Sequence, residues 1–212
     1  MHAHHSNIEY IETALAMYEV ELVHFVDPVL MYRMAQDEQF SEVEALRKVK
    51  AQLEWITSCD VDAILITCTN MIGVLKDEEL SLEIPIIKID EPYFEVICLE
   101  QQLQTILFTN PATVASTIER LEQYAKLHKK TINIEIEVIE NTFELLMQGK
   151  KEAYNTAISL YLHEAVQGQS IISVAQLSMV DAALQFTNAS GISITHPLQP
   201  LVNAILQHLK LV

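Results

Sequence analysis

Asp62-Ala63-Ile64-Leu65-Ile66-Thr67-Cys68-Thr69-Asn70 is a short apolar β-forming run that stops at a thiol. Thr69 and Asn70 suit the opening of a helix, and Met71, Ile72, Val74 and Leu75 supply its apolar face. The pattern predicts a buried parallel strand, a tight turn and a helix. In an open α/β sheet such a turn lies at the carboxyl end of a strand, where these sheets take ligands. Cys68 is then expected near the positive end of a helix, which lowers a thiol's pKa and favours the nucleophilic thiolate. The alternative reading of the same residue is a small, buried, inert hydrophobe.

Composition bounds what such a turn can serve. The chain has 212 residues, half of them hydrophobic, enough for one large domain or two small ones. A formal charge of −16 argues against nucleic acid, whose phosphates need a basic face. A small anionic substrate remains compatible, because local charge in a pocket can oppose the net charge. Four glycines, at 73, 149, 168 and 191, are too few and too scattered for a phosphate-cradling loop. No run reaches the length of a membrane span, and the N-terminus lacks the basic-then-apolar order of a secretory signal. Cys59, Cys68 and Cys98 have no metal-knuckle or disulfide spacing, so a reducing, cytoplasmic compartment is expected.

Along the chain, His2, His4 and His5 read as a tag-like remnant, a weak metal site or the tail of a curtailed first strand. Ser6 or Asn7 caps a helix over 8–18. Residues 20–26 read as a strand ended by Asp27-Pro28, which is either turn chemistry or an orienting carboxylate. Ser41 caps a helix to about Ser58, with Val43, Leu46, Val49, Leu53 and Ile56 on one face. Strands follow at 84–89, 105–108, 132–139, 171–175 and 192–194. Helices are expected over 93–102, from Pro111 to His128, and over 143–147, 151–166, 178–186 and 198–209. Glu135, Glu137 and Glu140 read as the solvated face of an edge strand, and Trp55 and Tyr161 as packing. Strands alternating with helices give an α/β fold with mostly parallel sheets.

The thiol segment has an echo. Residues 64–71 can be laid on residues 172–179, each a strand, a turn and a helix start ending in Met, and Cys68 then falls on Gln176. One side offers a titratable sulfur, the other a neutral amide.

Four motifs in order resemble the aspartate/glutamate racemase superfamily, the cofactor-independent enzymes that include glutamate, aspartate and hydantoin racemases, maleate isomerase and arylmalonate decarboxylase. Cys68-Thr69-Asn70 resembles the first catalytic cysteine motif. Thr109 to Ser116 resembles the family loop Ala-Thr-x-Gly-Thr-Val-x-Ser. Residues 23–27 resemble the second strand of several members, and 174–179 resembles the Ala-Gln-x-Ser-Met variant of the second cysteine motif. The resemblance implies two Rossmann-like half-domains related by pseudo-symmetry, residues 1–90 plus 195–212 and residues 91–194, with an active-site cleft between them. It implies a homodimer, no cofactor and no metal. It also implies a grip on a small carboxylate, an amino acid or dicarboxylate, by Asn7, Thr69, Asn70, Asn110 and Thr113, with Gln176 and His196 nearby. Gln176 departs from the two-thiol pattern. One thiol permits proton donation in a decarboxylation, or addition and loss in an isomerisation. Racemisation would need a substitute base, with His196 the nearest candidate, although a histidine hydrogen-bonded at a strand end is the alternative there. A catalytically inactive carboxylate-binding or regulatory protein is the other function open to such a chain.

Overall fold

The computed structural model describes residues 1–75, 82–168 and 171–211. The chain divides into two compact units, Met1–Asp90 with Leu201–Val212, and Glu91–Pro200.

In the first unit, β1 (Ile64–Ile66) pairs in parallel with β2 (Ile86–Lys88). On the other side of β1, the Met1 amino group donates to Leu65 O at 2.7 Å, and Thr67 N–H donates to Met1 O at 3.1 Å. His2 N–H donates to Phe25 O at 2.8 Å, and Asp27 N–H donates to His2 O at 2.9 Å. Met1 and His2 are therefore hydrogen-bonded on both flanks, as the tail of a first strand would be. Of the strand expected over 20–26 only Val26 is paired, in a parallel bridge to His2. Val23 is 75% exposed, so its apolar side chain marks no buried face.

Helices α1 (Asn7–Leu15), α2 (Pro28–Gln36), α3 (Glu42–Thr57) and α4 (Thr69–Leu75) complete this unit, together with most of the last helix, α10 (Leu198–His208). Helix α2 falls where only a turn was expected. Its start is nonetheless well specified: Pro28 supplies a first position with no N–H to satisfy. Asp27 Oδ1 accepts from Val29 N–H at 3.0 Å and Leu30 N–H at 3.1 Å. The other carboxylate oxygen of Asp27 takes the Gln52 amide of α3, so one residue caps α2 and ties it to α3. The capping box of α3 forms as expected, with Ser41 Oγ accepting from Glu44 N–H and Glu44 Oε2 from Ser41 N–H. Its buried stripe is Ala45, Val49, Gln52 and Leu53, whereas Val43 is 74% exposed and Trp55, expected to pack, is 69% exposed.

The second unit is a three-stranded parallel sheet in the order β4 (Ile134–Val138), β3 (Gln104–Phe108), β5 (Ile171–Val174). Thr195 extends it beside β5 through a parallel bridge to Ser173, so the strand expected at 192–194 is reduced to a single pairing. The central strand β3 is buried at every position, and its side chains alternate between two helical layers. Leu107 joins Tyr154, Ile158 and Leu162 of α8 (Lys151–Ala165) and Ala182, Ala183 and Phe186 of α9 (Val180–Ser190). Ile106 and Phe108 join Phe94 and Ile97 of α5 (Asp90–Leu99) and Leu121 and Ala125 of α6 (Val114–Leu127). The short α7 (Phe143–Met147) packs beside α8 through Leu145 and Leu146. Edge strand β4 exposes Glu135, Ile136 and Glu137, in line with its expected solvated face. Helix α9 ends at Gly191, whose φ of 75° is the left-handed conformation that glycine adopts without strain.

Leu107 is fully buried between β3 and two helices. Leu107→Ala is expected to cost about 3 kcal/mol of stability through lost burial and a residual cavity, read by urea unfolding. Asp27→Ala, which removes a cap, is expected to cost about 1 kcal/mol or somewhat more in the same measurement.

Candidate active site

Parallel pairing directs the carboxyl ends of neighbouring strands to one edge. In the first unit that edge carries Cys68, two residues beyond β1. Ile72 N–H donates to Cys68 O at 3.0 Å, which closes the first turn of α4. Thr69 and Asn70 occupy that turn and are half-buried. The Sγ of Cys68 lies 3.7 Å from Met31 Sδ, on α2. Burial pushes the Cys68 thiol above its ordinary pKa, and the Asp90 carboxylate adds to that. The N–H groups of Met71 and Asn70 hydrogen-bond the sulfur and pull the other way, without prevailing. The expected helix-terminus effect is thus present and outweighed by desolvation, so the group is a neutral thiol at neutral pH.

Asn7, the first residue of α1, meets the residue before the thiol. Its Nδ2 donates to Thr67 O at 3.3 Å and to Thr67 Oγ1 at 3.2 Å. A flipped amide would face its oxygen to the Thr67 carbonyl, so this orientation is fixed. What the side chain offers beyond Thr67 is its acceptor oxygen. Asn7, Cys68, Thr69 and Asn70 are brought together around the end of β1.

In the second unit Asn110, Thr113 and Gln176 are brought together at the ends of β3 and β5. Asn110 Oδ1 accepts from Ala112 N–H at 3.1 Å and caps the 3₁₀ turn Pro111–Thr113. Thr113 Oγ1 donates to Asn110 O at 2.9 Å. Gln176 Oε1 accepts three hydrogen bonds: Thr109 N–H at 2.8 Å, Thr109 Oγ1 at 2.9 Å and Asn110 N–H at 3.1 Å. Its Nε2 reaches Thr113 Oγ1 at 3.4 Å. The amide is therefore a strut between the loops after β3 and β5.

Behind it, Tyr154 OH lies 2.9 Å from Thr109 Oγ1 and 2.8 Å from Ser178 Oγ. Since the Thr109 hydroxyl hydrogen is directed at Gln176, Tyr154 donates to Thr109 and Ser178 donates to Tyr154. Burial holds the Tyr154 phenol above its usual pKa, so it remains a donor. His196 follows the sheet residue Thr195. Its buried Nδ1 has no partner among the described residues, and burial lowers its pKa, which makes it a neutral imidazole.

Sequence reasoning missed Met31, because α2 itself was not expected. It also missed Thr109, Tyr154 and Ser178. Thr109 opens the quoted loop, whereas Tyr154 sits in an apolar helical pattern that carries no functional signal. Among the described residues, no three His, Cys, Asp or Glu side chains are placed to hold a metal ion, and no helix is long and apolar enough to cross a membrane. A cavity of about 270 Å³ in the first unit is lined by Phe25, Lys48, Ala51, Gln52 and Trp55, none of them a residue singled out for the site.

No family model matches the sequence, and no curated protein matches it. Solved structures do. Aspartate racemase from Picrophilus torridus superposes with a TM-score of 0.67 at 13% identity, over 95% of this chain and 88% of that one. Glutamate racemase from Francisella tularensis subsp. tularensis SCHU S4, in complex with D-glutamate, gives 0.65 at 12%, over 100% and 81%. Allantoin racemase from Klebsiella pneumoniae gives 0.65 at 17%, over 100% and 87%. The chain has the fold of these racemases. Within that racemase fold, the thiol turn and the Gln176 strut are the two strand-end features that the repeat in the sequence placed at equivalent positions.

Two outcomes follow from this geometry. Gln176→Ala leaves three donors without their acceptor and is expected to cost about 2 kcal/mol or more. Gln176→Glu, which keeps acceptor oxygens, is expected to lose less than half as much; urea unfolding ranks the two. Second, the His2 ring is held neutral in the folded chain, its pKa lowered from 6.5 to about 3 by burial first, then by the Met1 amino charge and His24. The unfolded chain therefore binds the extra proton between those values. This contribution to stability is complete above 6.5 and is lost as pH falls towards 3. A series of denaturation midpoints against pH for wild type and His2→Gln reads the difference.

Proposed function

We propose that the chain is a cofactor-independent enzyme of the racemase fold, cytoplasmic and homodimeric, that acts on a small carboxylic acid, an amino acid or dicarboxylate, through the single thiol of Cys68. The observation that carries this reading is the placement of Cys68, buried just past β1 at the start of α4, with the N–H groups of Asn70 and Met71 directed at its sulfur and burial holding its thiol above the ordinary pKa. A protonated thiol is a proton donor, and the same two N–H groups stabilise the thiolate it leaves behind.

Racemisation by two thiols is not supported, because the matching position is an amide with its oxygen fully engaged. Decarboxylation followed by protonation on one face needs one donor only. Carbon dioxide leaves, its bonding electrons remain on carbon as an enolate, the Cys68 S–H proton passes to that carbon, and water returns a proton to sulfur. Isomerisation by addition of the sulfur across a double bond is the other one-thiol route. The side chains we assign to the acid's carboxylate and to the enolate beside the thiol are Asn7, Thr69 and Asn70, held by the first unit at the end of β1.

A second reading, a carboxylate-binding protein without turnover, is favoured by one specific observation. The Thr109, Asn110, Thr113 and Gln176 groups hydrogen-bond one another.

Two measurements decide. In a Cys59→Ser, Cys98→Ser background, the iodoacetamide rate at Cys68 is expected to rise with a midpoint above that of an ordinary thiol, and dicarboxylates are expected to slow it. In D₂O, amino acids and dicarboxylates are expected to gain deuterium at the α-carbon, or to lose carbon dioxide, with wild type and not with Cys68→Ser. Protection without exchange or turnover would select the binding reading. Neither protection nor exchange with any acid would overturn both.

A further inference from the structure

Behind the thiol turn of the first unit lies a chain of polar groups that the proposed chemistry does not use. His2 Nδ1 is 2.9 Å from Thr67 Oγ1, and His2 Nε2 is 3.0 Å from His24 Nδ1. His24 Nε2 is 3.4 Å from Glu12 Oε1, on α1. His2 is 2% exposed and Thr67 is 6% exposed, whereas the Glu12 side chain is 58% exposed. The row thus runs from a surface carboxylate to the hydroxyl next to Cys68.

Each ring nitrogen in the row is either a donor or an acceptor, and the choice at one end fixes all the others. His24 Nε2 is buried, has no well-aligned hydrogen bond, and has a carboxylate oxygen as its near polar neighbour. A lone pair there would face negative charge, so the proton belongs on Nε2. With its hydrogen on Nε2, the His24 ring presents Nδ1 as an acceptor, and His2 must give it Nε2–H. His2 Nδ1 in turn accepts from the Thr67 hydroxyl. Reversed, His2 Nδ1–H would donate to Thr67 Oγ1 and the hydroxyl would turn to Met1 O, 3.4 Å away. The other titratable groups facing the pair are the Met1 amino group beside His2, whose pKa burial lowers to about 5, and the Asp27 carboxylate, which is turned to the start of α2 and to Gln52.

We propose that Glu12, His24 and His2 are positioning residues: the Glu12 carboxylate sets the proton positions along the row and so directs the hydroxyl of Thr67, the group that also receives the Asn7 amide. None of the three touches the thiol. Their action is through Thr67, and it stands independently of the reaction assigned to Cys68.

The test is the tautomer of each ring, read from the ¹⁵N and ¹H signals of labelled histidine at about pH 8, above the ordinary histidine range. In wild type, His2 and His24 are both expected to carry the hydrogen on Nε2. Glu12→Lys places a donor where the acceptor was, so both rings are expected to switch to Nδ1–H, including His2, which Glu12 does not contact. Glu12→Gln, able to accept or donate, is expected to give a mixture. In His24→Phe the row is cut, and adding Glu12→Lys is expected to leave the His2 signal unchanged. Glu12 is exposed, so its variants are expected to fold, which the dispersion of the same spectra confirms. A His2 ring with the same tautomer in Glu12→Lys as in wild type would overturn the proposal, as would a switch that persists in His24→Phe.

Discussion

Parallel strand pairing is the constraint from which the candidate site follows. A parallel ladder needs a crossover between successive strands, and each crossover leaves from the carboxyl end. Cys68 follows β1, Asn110 follows β3, Gln176 follows β5, and His196 follows the added pairing at Thr195. Four residues far apart in sequence are thereby assigned the same kind of position, just past a buried strand, where a short side chain can leave the sheet without breaking its ladder. Asn7 is the exception. It opens α1, and it joins the thiol turn through Thr67 rather than through a strand of its own.

The two units use this position in opposite ways. After β1 the strand ends in a titratable sulfur that meets backbone N–H groups and the Met31 thioether. After β5 it ends in an amide whose oxygen is saturated by the neighbouring loop and backed by the hydroxyls of Thr109, Tyr154 and Ser178. An amide oxygen accepting three donors contributes rigidity and no acid–base chemistry. The asymmetry is a division of labour written into residue type: one strand end keeps a group that can change its protonation, the other keeps a group that cannot.

Much of this was legible in the sequence, for reasons that can be named. The thiol turn was readable because an apolar run ending at polar helix-openers has few other interpretations. The start of α3 was readable because Ser41 and Glu44 stand at capping-box spacing. Asp27-Pro28 was misread because both residues are strand breakers as well as helix openers, and nothing local tells the two apart. The strand over 20–26 was over-read from apolar content alone; with Val23 in solvent, composition there reported no buried face. Cys68's environment was half legible: sequence places it at a helix start, but the burial that outweighs the helix comes from α2 and the sheet, which only packing brings near. The same holds for Gln176, whose position was legible from the repeat while its three partners were not.

Helix α10 begins among residues of the second unit and continues into the first, where Leu201, Val202, Ile205 and Leu206 are buried. The polypeptide therefore passes between the units twice, after Asp90 and again after Pro200. A backbone cut after Pro200 would leave residues 1–90 joined to the second unit, whereas a cut after Asp90 would leave only residues 201–212 of the first unit so joined. Removing residues 201–212 would strip apolar cover from a unit whose other residues are synthesised first. On a ribosome, residues 1–90 must wait for residues 201–212 before that interior is closed.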